Sequence, residues 1–224
     1  MPRKARVAPG GLIYHVLNRG VGRRELFHKA ADYDAFLKVV VEAHQRHPVR
    51  LLAFCLMPNH WHLLLWPREE GDLSRHLHWL TVTHVQRYHA HHHTSGTGHL
   101  YQGRFKAFPI QEDAHFLTVG RYVECNAWRA GLVDSPGDWR WGSLWQRHNG
   151  RAEVREILSP WPVPMPRGWT RVVGRPQDEE KLVAVRRSVS RGSPYGDESW
   201  RNETAEALGL AFTLRDRGRP GGNL

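Results

Sequence analysis

The sequence predicts an α+β protein of the ferredoxin-like type. The expected core is a split βαβ unit, an antiparallel four-stranded sheet with helices packed on one face, followed by a C-terminal extension. Three observations predict it. Hydrophobic periodicity alternates between strand and helix patterns in the order β-α-β-β-α-β, with one further helical pattern appended. The 224 residues suffice for one large domain, or for a compact domain with an extension. A Pro/Trp-rich, irregular stretch near residue 150 then marks the end of the compact unit. It divides the chain into residues 1–150 and an extension, 151–224, made of a linker and a small, helical, basic segment.

The elements follow in order. "GLIYHVLNRG" (11–20) is rich in strand formers and ends in a turn, so it reads as the first strand. From about residue 31 to 47, Tyr33, Phe36, Leu37, Val40 and Val41 recur at helical spacing, and Pro48 stops the helix. "VRLLAFCLM" is a second strand, Pro58-Asn59 supplies turn chemistry, and "HWHLLLW" is a third. Residues 72–91 return to helical spacing through Leu73, Leu77, Leu80 and Val85. After the loop "HHHTSGTGH", "RFKAF" is short enough for a fourth strand. Residues 112–130 read as one helix, with Glu112 and Asp113 in its first turn and Gly131 as its stop. Beyond the linker, 178–191 and 198–208 have the pattern of two short helices.

Composition narrows the function classes. Lys+Arg 32 against Asp+Glu 22 gives a net charge of +10, which favours a polyanionic partner, with nucleic acid the leading candidate. The 40% hydrophobic content and 10 Trp fit a packed domain and not a disordered basic tail. Cys55 and Cys125 make no disulfide framework and lack the CxxC spacing of a zinc ribbon. No apolar stretch approaches the ~20 residues of a membrane span. The basic N-terminus "MPRKARVAPGG" lacks the apolar segment of a signal peptide, so a cytoplasmic location is expected.

The segment "MPNHWHLLLW" (57–66) carries the chemistry. Residues two apart on a strand share a face, so His60 and His62 project side by side, as two imidazoles do toward one metal ion. The chain has 16 His, and a His-x-His pair alone is not specific. The appended helix adds a second feature. Phe116, Val119, Val123 and Ala127 fall on one face to pack on the sheet, while Tyr122 and Asn126, at i and i+4, share its shoulder. His115 lies farther back along the same stripe, and Arg129 is nearby.

"MPNHWHLL", followed by "YQGRF" and "RYVECNAWRAGLV", resembles the REP-associated tyrosine transposases, single-tyrosine members of the HUH endonuclease superfamily. "RGSPYGDESW" and the closing "RGRP" resemble the family's C-terminal extension, so the likeness spans nearly the whole chain. The resemblance implies His60 and His62 as metal ligands, Asn126 as third ligand and Tyr122 as nucleophile, with Mg²⁺ or Mn²⁺ as the cofactor. It implies cleavage and rejoining of single-stranded hairpin DNA, a REP-like palindrome, through a 5′-phosphotyrosine intermediate. Family members have Asn-Pro where this chain has Asn126-Ala127.

A tyrosine hydroxyl, with a pKa near ~10, needs a base or a nearby positive charge; His115 is a candidate proton acceptor. The DNA-binding candidates are Arg3, Lys4 and Arg6 in the N-terminal arm and Arg19, Arg23 and Arg24 after the first strand. Arg104, Phe105 and Lys106, which alternate cation and ring, and Arg217 and Arg219 in the closing "RGRP" complete the set. Three rival readings stand: a relaxase or replication-initiation nickase, a DNA-binding repressor derived from a transposase, and a zinc hydrolase. In relaxases the Tyr precedes the His pair, and a zinc hydrolase needs a further ligand that the sequence does not mark. A monomer and a homodimer are both compatible with one Tyr per chain. Every candidate catalytic residue precedes residue 150, so a chain ending near Asn149 is expected, provided it stays folded, to keep some cleavage while binding DNA more weakly.

Overall fold

The structure is a computed structural model and describes residues 8–215. Its compact core runs β1 (Ile13–Arg19), α1 (Ala30–Arg46), β2 (Arg50–Met57), β3 (His60–Trp66), α2 (Asp72–His92), β4 (Lys106–Ile110) and α3 (Ala114–Glu124). The order predicted from periodicity is the order observed. The strands form one antiparallel sheet, β2-β3-β1-β4, the order of a split βαβ unit.

Because side chains alternate along each strand, register decides what meets what. Leu17 pairs with His62 and Arg19 with His60; on the other flank of β1, His15 pairs with Phe108 and Leu17 with Lys106. His15, His60, His62 and Phe108 therefore share one face. Tyr14, Val16, Trp61 and Leu63 share the other.

The two helices of the split unit lie on one face, as expected. Phe36 of α1 packs on Trp61, with ring centroids 6.0 Å apart, and on His84 of α2 at 4.7 Å. The appended helix α3 covers the opposite face, burying Phe116, Val119 and Val123 completely. Strands β2 and β3 are buried almost throughout on both faces, so neither face can be left to water.

Two boundaries differ from the sequence reading. The fourth strand starts two residues later than "RFKAF" and includes Pro109; β4 is an edge strand, where a missing N–H is tolerated. The single helix expected over 112–130 is broken. α3 ends at Glu124, Cys125 takes bridge-region angles (φ −92°, ψ 2°), and a short α4 runs Asn126–Arg129. Gly131, at φ 70°, closes that turn in the left-handed conformation where glycine is unstrained.

The remaining helices are α5 (Ser143–Asn149), α6 (Ala152–Glu156), α7 (Trp169–Val173), α8 (Glu179–Arg191) and α9 (Glu198–Ala207). α8 and α9 are the two helices expected after the linker, each capped by an aspartate, Asp178 and Asp197. This later segment covers both sheet edges. Leu158 bridges Leu51 at the β2 edge, and Tyr195 bridges Ile110 at the β4 edge. Leu182, Val185 and Tyr195 join the same hydrophobic core as the sheet. The buried Glu124 carboxylate accepts from Ser143 Oγ (2.5 Å) and from Trp169 Nε1 (2.6 Å), tying α3 to α5 and α7. Among the described residues no helix is long and apolar enough to cross a membrane.

Candidate active site

His60 and His62 stand on β3, an inner strand, with ring centroids 4.9 Å apart. Each ring is oriented through its Nδ1: that of His60 lies 2.6 Å from Asn59 Oδ1, and that of His62 lies 2.8 Å from His15 Nε2. Such outer partners fix ring orientation, and here they leave both Nε2 atoms for an ion. Burial holds the rings neutral, the form that binds metal. It pulls His60 down to about 4, helped by Arg19, and His15 to about 3, helped by His60. His62 is driven well below the usual histidine range, by burial first and then by His60.

Tyr122 ends α3 above the same face. Its ring centroid lies 6.0 Å from that of His62 and 6.2 Å from that of His15, both edge-on. Burial raises its phenol above the ordinary value, and Arg129 opposes that rise. The Arg129 guanidinium lies 4.5 Å from the Tyr122 ring centroid and donates to Tyr122 O, Asn126 Oδ1 and Gln177 Oε1. It thus bridges the helix break.

A divalent ion fits the imidazole pair: two oriented, neutral Nε2 donors on one strand. Asn126 follows the break, with its Oδ1 engaged by Arg129 and its buried Nδ2 without a partner. An amide oxygen has two lone pairs, so the bond from Arg129 leaves one on Asn126 Oδ1 for an ion.

His115 is not brought to this site. It begins α3, seven residues before Tyr122 and so roughly 10 Å away along the axis. There its Nδ1 lies 2.7 Å from Asp113 Oδ1 and its ring packs against Tyr195. The stripe expected from the helical wheel is real, but a stripe has length.

Of the candidate DNA contacts, Arg19, Arg104 and Lys106 line one cleft of about 520 Å³, and Arg186 of α8 closes it from the other side. Phe105 packs partly buried against the core and does not stand free as a stacking platform. Arg23 and Arg24 are exposed. Arg3, Lys4, Arg6, Arg217 and Arg219 lie outside the described residues.

Sequence reading missed three groups: His15, Arg186 and the Arg129 clamp. His15 was detectable. It sits in the apolar strand "IYHVLNR" and raises the same question of a buried imidazole as His60 and His62. Arg186 carried no such signal, because only the packing of α8 brings it to the cleft.

A family model described as "Transposase IS200 like" matches residues 10–126, just over half of the chain and inclusive of His60, His62, Tyr122 and Asn126. No curated protein matches the chain significantly. Among solved structures, that of a REP-associated tyrosine transposase bound to a REP hairpin is similar in fold, with a TM-score of 0.54 at 16% identity. That match covers 80% of this chain and 92% of the other. A putative transposase from Deinococcus radiodurans R1 matches at 18% identity and a TM-score of 0.39, covering 55% of this chain and 95% of the other.

Proposed function

Because the chain belongs to the IS200-like transposase family, whose members process DNA, we propose that it is a REP-associated single-tyrosine transposase. In this reading it cleaves and rejoins single-stranded hairpin DNA, with Tyr122 as nucleophile and a divalent ion, Mg²⁺ or Mn²⁺, held by His60, His62 and Asn126. The observation that carries the proposal is the position of the Tyr122 ring, edge-on to His62 on the face that presents the His pair.

When bound, the ion would polarise the scissile phosphate and neutralise charge as it develops. Tyr122 Oη would form the bond to phosphorus as the bond to the 3′-oxygen breaks, leaving a 5′-phosphotyrosine and a free 3′-OH. The phosphodiester energy is kept in the new linkage, so the reverse attack rejoins strands without ATP. The raised phenol pKa means that Tyr122 rests protonated, and Arg129 is the cation that most favours its anion.

Arg19, Arg104, Lys106 and Arg186 would carry the strand's phosphates through their cleft. Residues 151–224 would serve as a DNA-binding extension. The compared transposase carries a REP hairpin, which supports a folded single strand as the substrate class; the cytoplasm is where such DNA would be met.

The test is incubation of an end-labelled single-stranded hairpin with protein and Mn²⁺, resolved on a denaturing gel. A labelled band at protein mass supports the proposal. Cleavage without a protein-linked label would point to a hydrolase, and binding without either would point to a repressor.

A further inference from the structure

A second group of metal-ligating side chains lies on the other side of the sheet from the His pair, where the start of α1 meets the end of α2. Asp32, His91 and His92 can place one ligand atom each within 4.8 Å of one another. We propose that these three residues form a second metal site, for a borderline divalent transition ion such as Zn²⁺, that fastens α1 to α2.

The carboxylate is already fixed in place. Asp32 is only 9% exposed, and its Oδ2 accepts the N–H groups of His28 (2.8 Å) and Lys29 (3.1 Å) at the start of α1. Oδ1 remains for a ligand. His92 is held against Tyr88, with ring centroids 4.2 Å apart. His91 is exposed and gives the site an open side.

Two imidazoles and one carboxylate suit Zn²⁺, Ni²⁺ or Cu²⁺ and not Mg²⁺, which prefers oxygen donors. The negative end of the α2 dipole adds to the attraction for a cation. α2 also feeds the loop that delivers Tyr101, which bridges Gly20, and then Arg104 of the basic cleft. An ion here would steady that loop from the far side of the sheet. The proposal is independent of the transposase reading, because it uses none of that reading's residues.

The test is calorimetric titration of chelator-stripped full-length protein with Zn²⁺, without DNA. His91→Gln/His92→Gln alters two side chains that are exposed or half-exposed, so folding should survive. It should bind one Zn²⁺ fewer per chain than the wild type, and the rise in melting temperature that Zn²⁺ gives the wild type should shrink. Asp32→Asn keeps an oxygen for the two N–H groups but removes the charge; it should weaken this site by at least about tenfold. Unchanged stoichiometry in the double variant would overturn the proposal. So would wild-type affinity in Asp32→Asn, since an exposed histidine tract alone would then account for the binding.

Discussion

His15 Nε2 lies 2.8 Å from His62 Nδ1, a contact between β1 and β3 buried beneath Tyr122. It orients the His62 ring, and in the proposed metal site His15 would act as a positioning residue. His15→Phe fills the space but removes the hydrogen-bond partner of His62 Nδ1. Mn²⁺ affinity should fall by about 10- to 100-fold, and cleavage should recover at raised Mn²⁺. Titration followed by electron paramagnetic resonance reads the affinity directly, and wild-type affinity in the variant would remove His15 from the site.

The fold was legible in the sequence where periodicity was long and one-sided. β1 through α2 emerged in order because Pro48 and Pro58-Asn59 mark their ends chemically. The break at Cys125 was not legible, since neither glycine nor proline announces it; the Arg129 contacts that span it are tertiary. The His pair could be read because strand parity is a local rule. His15 and Arg186 depend on strand register and helix packing, which no local rule supplies. His115 illustrates the opposite error, in which a shared helical stripe was taken for proximity.

Two buried histidines away from the site make stability depend on pH. Burial pulls His76 down to about 4 and His84 to about 3. In the unfolded chain both take a proton near ~6.5. Below that pH the unfolded state binds more protons, so the stability fully present above it declines as pH falls toward the folded values. With chelator present, the melting temperature should drop steadily between pH of about 6.5 and about 4. A flat profile across that window would contradict the neutral, buried state of these rings.

The cleft between β4 and α8 should bind phosphates. Lys106→Ala and Arg186→Ala, on opposite sides of it, should each weaken single-stranded hairpin binding and reduce the slope of log K against log salt by about 1. Fluorescence anisotropy across a salt series measures both effects. An unchanged slope in Arg186→Ala would show that the strand does not follow this cleft.

Truncation at Asn149 should cost the fold itself, so the folded shortened chain on which the expectation of retained cleavage depends should not form. It removes Trp169, Val173, Leu182 and Val185, all buried. At roughly 1.5–3 kcal/mol for each such side chain, the loss rivals the ~5–15 kcal/mol stability of a typical domain. It also strips the partners of Ile110 and Leu51 from both sheet edges. A cooperative thermal transition in the truncated chain, followed by circular dichroism, would contradict this.

The central claim is that one oxygen, Tyr122 Oη, becomes linked to DNA. Tyr122→Phe deletes that oxygen and keeps the ring that packs between His62, His15 and Arg129, so the variant should fold and still bind the hairpin. The direct measurement is mass spectrometry of peptides from a reaction of labelled single-stranded hairpin DNA with Mn²⁺. In the wild type the nucleotide adduct should map to Tyr122, and in Tyr122→Phe no adduct should form. An adduct that persists in the variant, or that maps to Tyr88 or Tyr101, would contradict the account.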